Sequence, residues 1–151
     1  MQLDELLRCC QQELAAGFAL RQACLQQQRA MVGGAAEGVR NGTAATALAL
    51  EAWRQAAEAR HAATVALGAA DLASLLGSLP RAQAERVAEH RDALLASWGE
   101  IERLNRQNDV LVRHSLAVID LSLQRLVGGR SPTYGPRGRR ALAARVLSKG
   151  G

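Results

Sequence analysis

The residues that could carry chemistry in this 151-residue chain are three histidines and three cysteines. His61, His90 and His114 lie on three separate helical stretches and belong to no metal-binding His-Glu-x-x-His motif. The chain also lacks a nucleophile elbow and a phosphate-binding loop. We therefore predict that the protein is not an enzyme and that it has no metal site and no cofactor.

The cysteines Cys9, Cys10 and Cys24 are odd in number and have no C-x-x-C spacing. Cys10 and Cys24 are two heptads apart, which fits one face of a helix. We interpret all three as reduced, partly buried thiols of a cytoplasmic protein. The chain has no apolar run long enough to cross a membrane, and its acidic start at Asp4 and Glu5 is unlike a signal peptide.

The composition favours an all-α fold. Aromatic residues make up 3% of the chain, and the helix formers alanine, leucine, arginine and glutamine dominate. We expect an elongated antiparallel helical hairpin or three-helix bundle with coiled-coil-like packing, one short connecting helix and a flexible C-terminal tail. Six of the 19 basic residues and none of the 14 acidic ones fall in 128–151. We therefore divide the chain into a helical bundle, 1–127, and a basic, flexible tail, 128–151.

The first half of the chain predicts two helices and a short third one. The first runs from residue 2 to about 32, with apolar residues at steps of three and four. After Gly33-Gly34, the pair Asn41-Gly42 predicts a turn, and Thr43 is the expected N-cap of a second helix over about 44–67. Asp71 is then expected to cap the short helix that Pro80 closes. The expected apolar positions are Leu3, Leu6, Leu7, Cys10, Leu14, Gly17, Phe18, Leu20, Leu25 and Met31 in the first helix, and Leu48, Trp53, Ala56, Ala57, Val65 and Leu67 in the second.

A long helix is predicted from about 81 to 127. Its seam shows heptad-like spacing and contains two polar residues, Asn105 and Asn108. These asparagines either fix the register of the bundle or mark a contact with another molecule. The expected seam consists of Val87, Leu94, Trp98, Ile101, Asn105, Asn108, Val112, Ser115, Ile119, Ser122 and Leu126.

The end of this helix has more apolar surface than one packing stripe needs. Apolar residues occupy positions 111, 112, 116, 118, 119, 121, 123, 126 and 127. Such a helix is either buried on several sides or binds a partner, and in a thin bundle we favour the partner. Gly128-Gly129 then ends the helix, and a turn-rich stretch leads to a short basic amphipathic segment.

Three motifs in this region carry a family resemblance. Leu104-Asn105 with Asn108 is followed by Ser115-Leu116 with Ile119, and then by the Thr-Tyr-Gly-Pro-x-Gly segment at Thr133–Gly138. With the Asp-Leu-Ala-x-Leu-Leu segment at Asp71–Leu76, this arrangement resembles the FlgN family of flagellar export chaperones. The chain differs from the usual family pattern at Arg137, where members often have aspartate, and in its glycine-rich stretch after residue 32.

The resemblance implies a cytosolic chaperone that binds hook-associated proteins, keeps them competent for export and docks on the cytosolic domain of the flagellar export gate. It implies that the C-terminal part holds the amphipathic terminal helix of the cargo. The cargo-binding residues would be Leu111, Val112, Leu116, Ile119, Leu123 and Leu126. A second set would dock on cargo or gate: Tyr134, Gly135, Pro136 and Gly138.

Two other functions stay open from the sequence. The apolar face at 111–127 could instead join copies of the chain, as a structural coiled coil or a weak homodimer. The basic tail could bind an anionic surface, although it has one aromatic residue and no recognisable nucleic-acid fold, so we expect no nucleic-acid partner. The residues that would carry such binding are Arg137, Arg139, Arg140, Arg145 and Lys149.

Overall fold

The computed structural model describes residues 2–126. Four helices and no strand occur in this range: α1 (Gln2–Gly33), α2 (Ala36–Ala66), α3 (Leu72–Leu76) and α4 (Arg81–Leu126). The predicted all-α fold, with a short helix before a long one, is therefore confirmed. The predicted C-terminal tail lies outside the described residues.

The chain divides into two compact units, Met1–Leu111 and a second one that begins at Val112. In the first unit α2 runs antiparallel to α1, since Gly42 meets Gln27 near one end and Arg60 meets Glu13 further along. The first part of α4 runs parallel to α1. Its Val87 packs near the start of α1, and its Leu104 packs near Cys24. The predicted helical packing is thus present in the first unit.

The break between α1 and α2 is shorter and earlier than the sequence predicts. Gly34 has a positive φ of 70°, a conformation that glycine adopts at little cost, and α2 begins two residues later at Ala36. The expected turn at Asn41-Gly42 and the expected N-cap at Thr43 are wrong. The Thr43 hydroxyl instead donates to the carbonyl oxygen of Val39 one turn earlier, at 2.9 Å.

Gly42 explains why a turn signal lies inside a helix. A Cβ atom at this position would stand 3.0 Å from the Cα atom of Gln27 in α1. The glycine therefore lets the backbones of α1 and α2 approach closely, as small residues do in tightly packed helix pairs. The Gln27 side chain reaches across the same contact and donates to the Thr43 hydroxyl at 3.1 Å.

Replacing Gly42 with alanine is expected to lower the free energy of unfolding by about 1–3 kcal/mol, because the neighbouring atom is backbone and cannot rotate away. This loss should exceed the gain in helix propensity of about 1 kcal/mol that alanine brings. Gly99→Ala in α4 is the matched control, since nothing lies within 4 Å of its added Cβ. We expect Gly99→Ala to stabilise the protein in urea unfolding followed by circular dichroism. Stabilisation by both substitutions would show that Gly42 is not a packing requirement.

One cluster of the core joins three helices in the first unit. Leu6, Leu7 and Cys10 of α1 pack with Leu72 and Leu75 of α3 and with Val87 of α4. These are the residues that hold the short helix α3 in place.

The predicted N-cap of α3 at Asp71 is confirmed. The cap consists of a reciprocal pair. The Asp71 carboxylate accepts from the backbone N–H of Ser74 at 2.7 Å, and the Ser74 hydroxyl accepts from the Asp71 backbone N–H at 3.2 Å. The bond from the Ser74 backbone stabilises the ionised carboxylate and lowers the pKa of Asp71. The start of α3 is thereby fixed locally.

The second cluster contains Leu20 and Cys24 of α1 with Ile101 and Leu104 of α4. Trp53 of α2 packs against this cluster and stacks on Trp98, with ring centroids 5.1 Å apart. In this stacked position Trp98 is 45% exposed. Trp98 therefore lies at the edge of the seam and is not buried in it. Three predicted apolar positions of α1 and α2 are also exposed: Phe18, Leu48 and Val65.

The three cysteines are free and buried in the first unit, which confirms their predicted placement. Burial raises the pKa of the Cys10 thiol to about 11. It also raises the pKa of Cys24. Protonated thiols out of reach of solvent react slowly, so these residues act as small apolar side chains of the core.

Candidate partner-binding surface

A buried asparagine of α4 contacts α1 near the end of the first unit. Asn108 is 5% exposed, and its side-chain amide donates to the carbonyl oxygen of Cys24 at 3.1 Å. The same amide lies 3.4 Å from the side-chain oxygen of Gln27. The side-chain oxygen of Asn108 is buried and has no hydrogen-bond partner among the described residues. The two contacts of the amide nitrogen form in only one alignment of the helices, so Asn108 can fix the register of α4 against α1.

Asn105 does not share this role. Its side chain is exposed, and the neighbouring Leu104 is 2% exposed in the seam. The α4 seam thus passes through Ile101, Leu104 and Asn108, and the expected position of Asn105 in it is wrong. Leu104 is the buried residue of the two because its burial removes more apolar surface from water than burial of Asn105 would.

A groove lies at the end of the first unit, after Asn108 in the sequence of α4. Val32 of α1 and Val110 of α4 line it and are 72% and 65% exposed. Leu111, one of the predicted cargo-binding residues, is a half-buried residue of the same groove. It therefore lies in the first unit, whereas the other five predicted residues lie in the second.

In the second unit, residues 112–126 of α4 form a helix with a wide exposed apolar surface. Seven large apolar side chains are between 42% and 82% exposed there. Five of them follow steps of four and three and lie on one face, within an arc of about 80° at 3.6 residues per turn. These five, which we call the apolar stripe, are Val112, Leu116, Ile119, Leu123 and Leu126.

The two remaining exposed residues, Val118 and Leu121, lie on the other side of the same helix. Leu121 is 57% exposed and is rotated by roughly 200° from Ile119 at 3.6 residues per turn. The sequence shows both as apolar positions but did not place them in the cargo site. Their position makes them useful as controls for the apolar stripe.

An acidic residue that sequence reasoning missed borders the apolar stripe. Asp120 lines a hollow together with Leu116, Ala117, Ile119 and Leu123. Its Oδ2 atom accepts from the side-chain amide of Gln124 at 3.1 Å. Its Oδ1 atom is buried and has no hydrogen-bond partner among the described residues. The available signal was that Asp120 is the last acidic residue of the chain, in the middle of an apolar run.

The predicted docking residues Tyr134, Gly135, Pro136 and Gly138 lie outside the described residues. The same holds for the basic residues of 128–151. Their roles stay predictions.

No group of three or more histidine, cysteine or acidic side chains in residues 2–126 is arranged to hold a metal ion. His61 and His114 are exposed, and His90 has its Nδ1 atom 2.9 Å from the carbonyl oxygen of Arg86. In the same part of the chain, no helix has the length and apolar character that a membrane span requires. The feature that stands out is the apolar stripe.

The fold and this surface define an all-α helical protein with an exposed apolar helix. The chain belongs to the FlgN family, because the family model described as FlgN protein matches residues 1–141. No curated protein and no solved structure matches the chain significantly. The family consists of chaperones and not of enzymes, and membership implies a general role as a flagellar export chaperone with flagellar proteins as partners.

Proposed function

We propose that the protein binds the amphipathic terminal helix of hook-associated proteins in the cytoplasm, keeps these proteins competent for export and delivers them to the export gate. The observation that carries the proposal is the apolar stripe, which is exposed along residues 112–126. An exposed stripe with steps of three and four is complementary to the apolar face of a second helix.

The stripe has enough apolar surface for such a role. Fully burying a leucine, isoleucine or valine side chain stabilises a contact by about 1.5–3 kcal/mol, and five such residues are available. Part of this gain offsets the lost freedom of two associating molecules, so micromolar binding is a reasonable outcome. Reversible binding suits a chaperone that must release its cargo.

The proposed cargo site of the second unit is the apolar stripe, and Leu111 is proposed as a further cargo contact in the first unit. Asn108 is proposed to fix the register of α4 against α1 within the first unit. The segment around Tyr134 is proposed, from the family resemblance, to contact the cargo or the cytosolic domain of the gate. Division of the chain into a bundle, 1–127, and a basic tail, 128–151, belongs to the same proposal.

Self-association is the second candidate, because an exposed apolar stripe can also pair with its own copy. It predicts a dimer whose formation depends on protein concentration and on the same residues. A weak homodimer that cargo displaces is compatible with the chaperone. A tight dimer that excludes cargo is not compatible with the chaperone function.

The test is complex formation between the full chain and a hook-associated protein, with and without the terminal helix of that protein. Light scattering after size exclusion should show a one-to-one complex that forms only when the helix is present. Binding should change little with salt, because apolar contacts dominate. Equal binding of the shortened cargo, or a dimer of the chain that never takes up cargo, would contradict the proposal.

A further inference from the structure

Asp120 has surroundings that differ from those of most acidic residues on the described helices. Glu5 pairs with Arg8, Glu51 pairs with Arg54, and Glu85 pairs with Arg81, each within one helical turn. The positions one turn away from Asp120 are Leu116, Ala117, Leu123 and Gln124, and none of them is charged. The helix itself therefore supplies no cation to this carboxylate.

The local hydrogen bonds satisfy Asp120 only in part. Gln124 donates to one carboxylate oxygen, and the other is buried without a partner in the described part of the chain. A carboxylate can accept several hydrogen bonds, and leaving this capacity unused in a dry contact is costly. Asp120 thus has acceptor capacity that the described residues do not use.

Docking of a partner on the apolar stripe would make this cost larger. Leu116, Ile119 and Leu123 share the hollow with Asp120, so a helix that covers them also removes water from the carboxylate. A purely apolar partner would leave a buried, unpaired charge, which is unfavourable. A partner with a basic side chain at the edge of its apolar face would pair the charge instead.

We propose that Asp120 is a specificity-determining residue that selects partner helices carrying an arginine or lysine beside the apolar face. This inference rests on the proposed function, since it assumes that a helix docks on the apolar stripe. The apolar contacts then supply most of the affinity. The ion pair sets the register of the bound helix and disfavours helices that lack the basic residue.

The probe is a designed amphipathic helical peptide with a fluorescent label, because the natural cargo is unidentified. The peptide is made with arginine, with neutral citrulline or with leucine at a single position, and this position is moved along the edge of its apolar face. Binding to the full chain is measured by fluorescence anisotropy. At one position the arginine peptide should bind about tenfold more tightly than the citrulline peptide, as expected for a charge-assisted hydrogen bond.

Asp120→Asn is the decisive variant, because it keeps the shape of the side chain and removes the charge. In this variant the preference for arginine over citrulline should fall to about onefold at the same peptide position, while the citrulline peptide still binds. Asp92→Asn is the matched control, since it removes an exposed carboxylate that pairs with Arg91 elsewhere on α4. We expect the control to keep the full arginine preference.

The outcomes separate this inference from the proposed function. An arginine preference that persists in Asp120→Asn, or that is absent from the wild-type chain while the peptides bind, overturns the role of Asp120 and leaves the apolar stripe as a cargo site. If no peptide binds, and a natural cargo binds the chain at a surface other than the apolar stripe, then both the role of Asp120 and the proposed cargo site are wrong. Two other partners can be tested in the same way: a peptide of residues 137–149 and a second copy of the chain. If either one binds the wild-type chain and loses affinity in Asp120→Asn, that partner pairs with Asp120. This result would overturn the proposal that Asp120 pairs with a cargo helix.

Discussion

An Ile119→Asp chain is expected to bind cargo at least about 100-fold more weakly than the wild-type chain, a loss of about 3 kcal/mol. Ile119 is 55% exposed and lies in the middle of the apolar stripe. Aspartate there removes apolar area from the contact and places a charge where the partner excludes water. Leu123→Asp, one turn further along the same face, should have a similar effect.

The matched control for this prediction is Leu121→Asp. Leu121 is exposed to almost the same degree as Ile119, at 57%, but lies on the other side of the helix. Neither substitution disturbs a buried contact among the described residues, so both chains should unfold at the same urea concentration as the wild type. Calorimetric titration with a cargo helix should show the loss for Ile119→Asp alone. Equal affinities of the two variants would show that the cargo binds elsewhere.

Sequence patterns predicted well the elements whose stability is local. The bounds of α1 and α4 follow from long runs of apolar residues at steps of three and four, which survive any single exception. Asp71 and Pro80 fix the starts of α3 and α4 through their own backbone chemistry. The apolar excess after residue 110 was equally visible, because counting apolar positions needs no knowledge of the fold.

The errors arise where packing decides between two locally acceptable structures. Asn41-Gly42 is a good turn signal, yet in the structure Gly42 is the point of closest approach between two helices. The sequence does not show that Gln27 will lie opposite. Similarly, Asn105 and Leu104 both continue a seam from Ile101 at allowed spacing, and only the facing surface of α1 makes the leucine the buried residue.

The largest omission concerns an ion pair between residues far apart in sequence. Glu13 belongs to a polar stretch of α1, where an exposed glutamate is the ordinary expectation, but it is 5% exposed. The Arg60 guanidinium of α2 lies 2.5 Å from its carboxylate. A separation of 47 residues hides this partner from any local pattern. The candidate site has the same weakness, since the importance of Asp120 depends on a partner that the sequence does not show.

Removing the arginine of this pair should destabilise the protein strongly. We expect Arg60→Met to lower the free energy of unfolding by about 3 kcal/mol, because the charge of Glu13 would be left buried without a counterion. The value is at the low end of the usual range for buried pairs, since the Arg60 side chain keeps 21% exposure and water can partly replace it. Urea unfolding at neutral pH measures the change.

Two further variants establish whether the effect comes from the pair. Arg54→Met removes an arginine from the same helix that pairs with Glu51 and Glu58 at the surface, and it should leave stability close to the wild type because solvent screens those pairs. Combining Arg60→Met with Glu13→Leu should recover most of the lost stability, since apolar side chains can fill the same space without a charge. Recovery would show that the pair is required chiefly because Glu13 is buried. A double variant as unstable as Arg60→Met alone would show that the buried charge of Glu13 is not the cause of the loss.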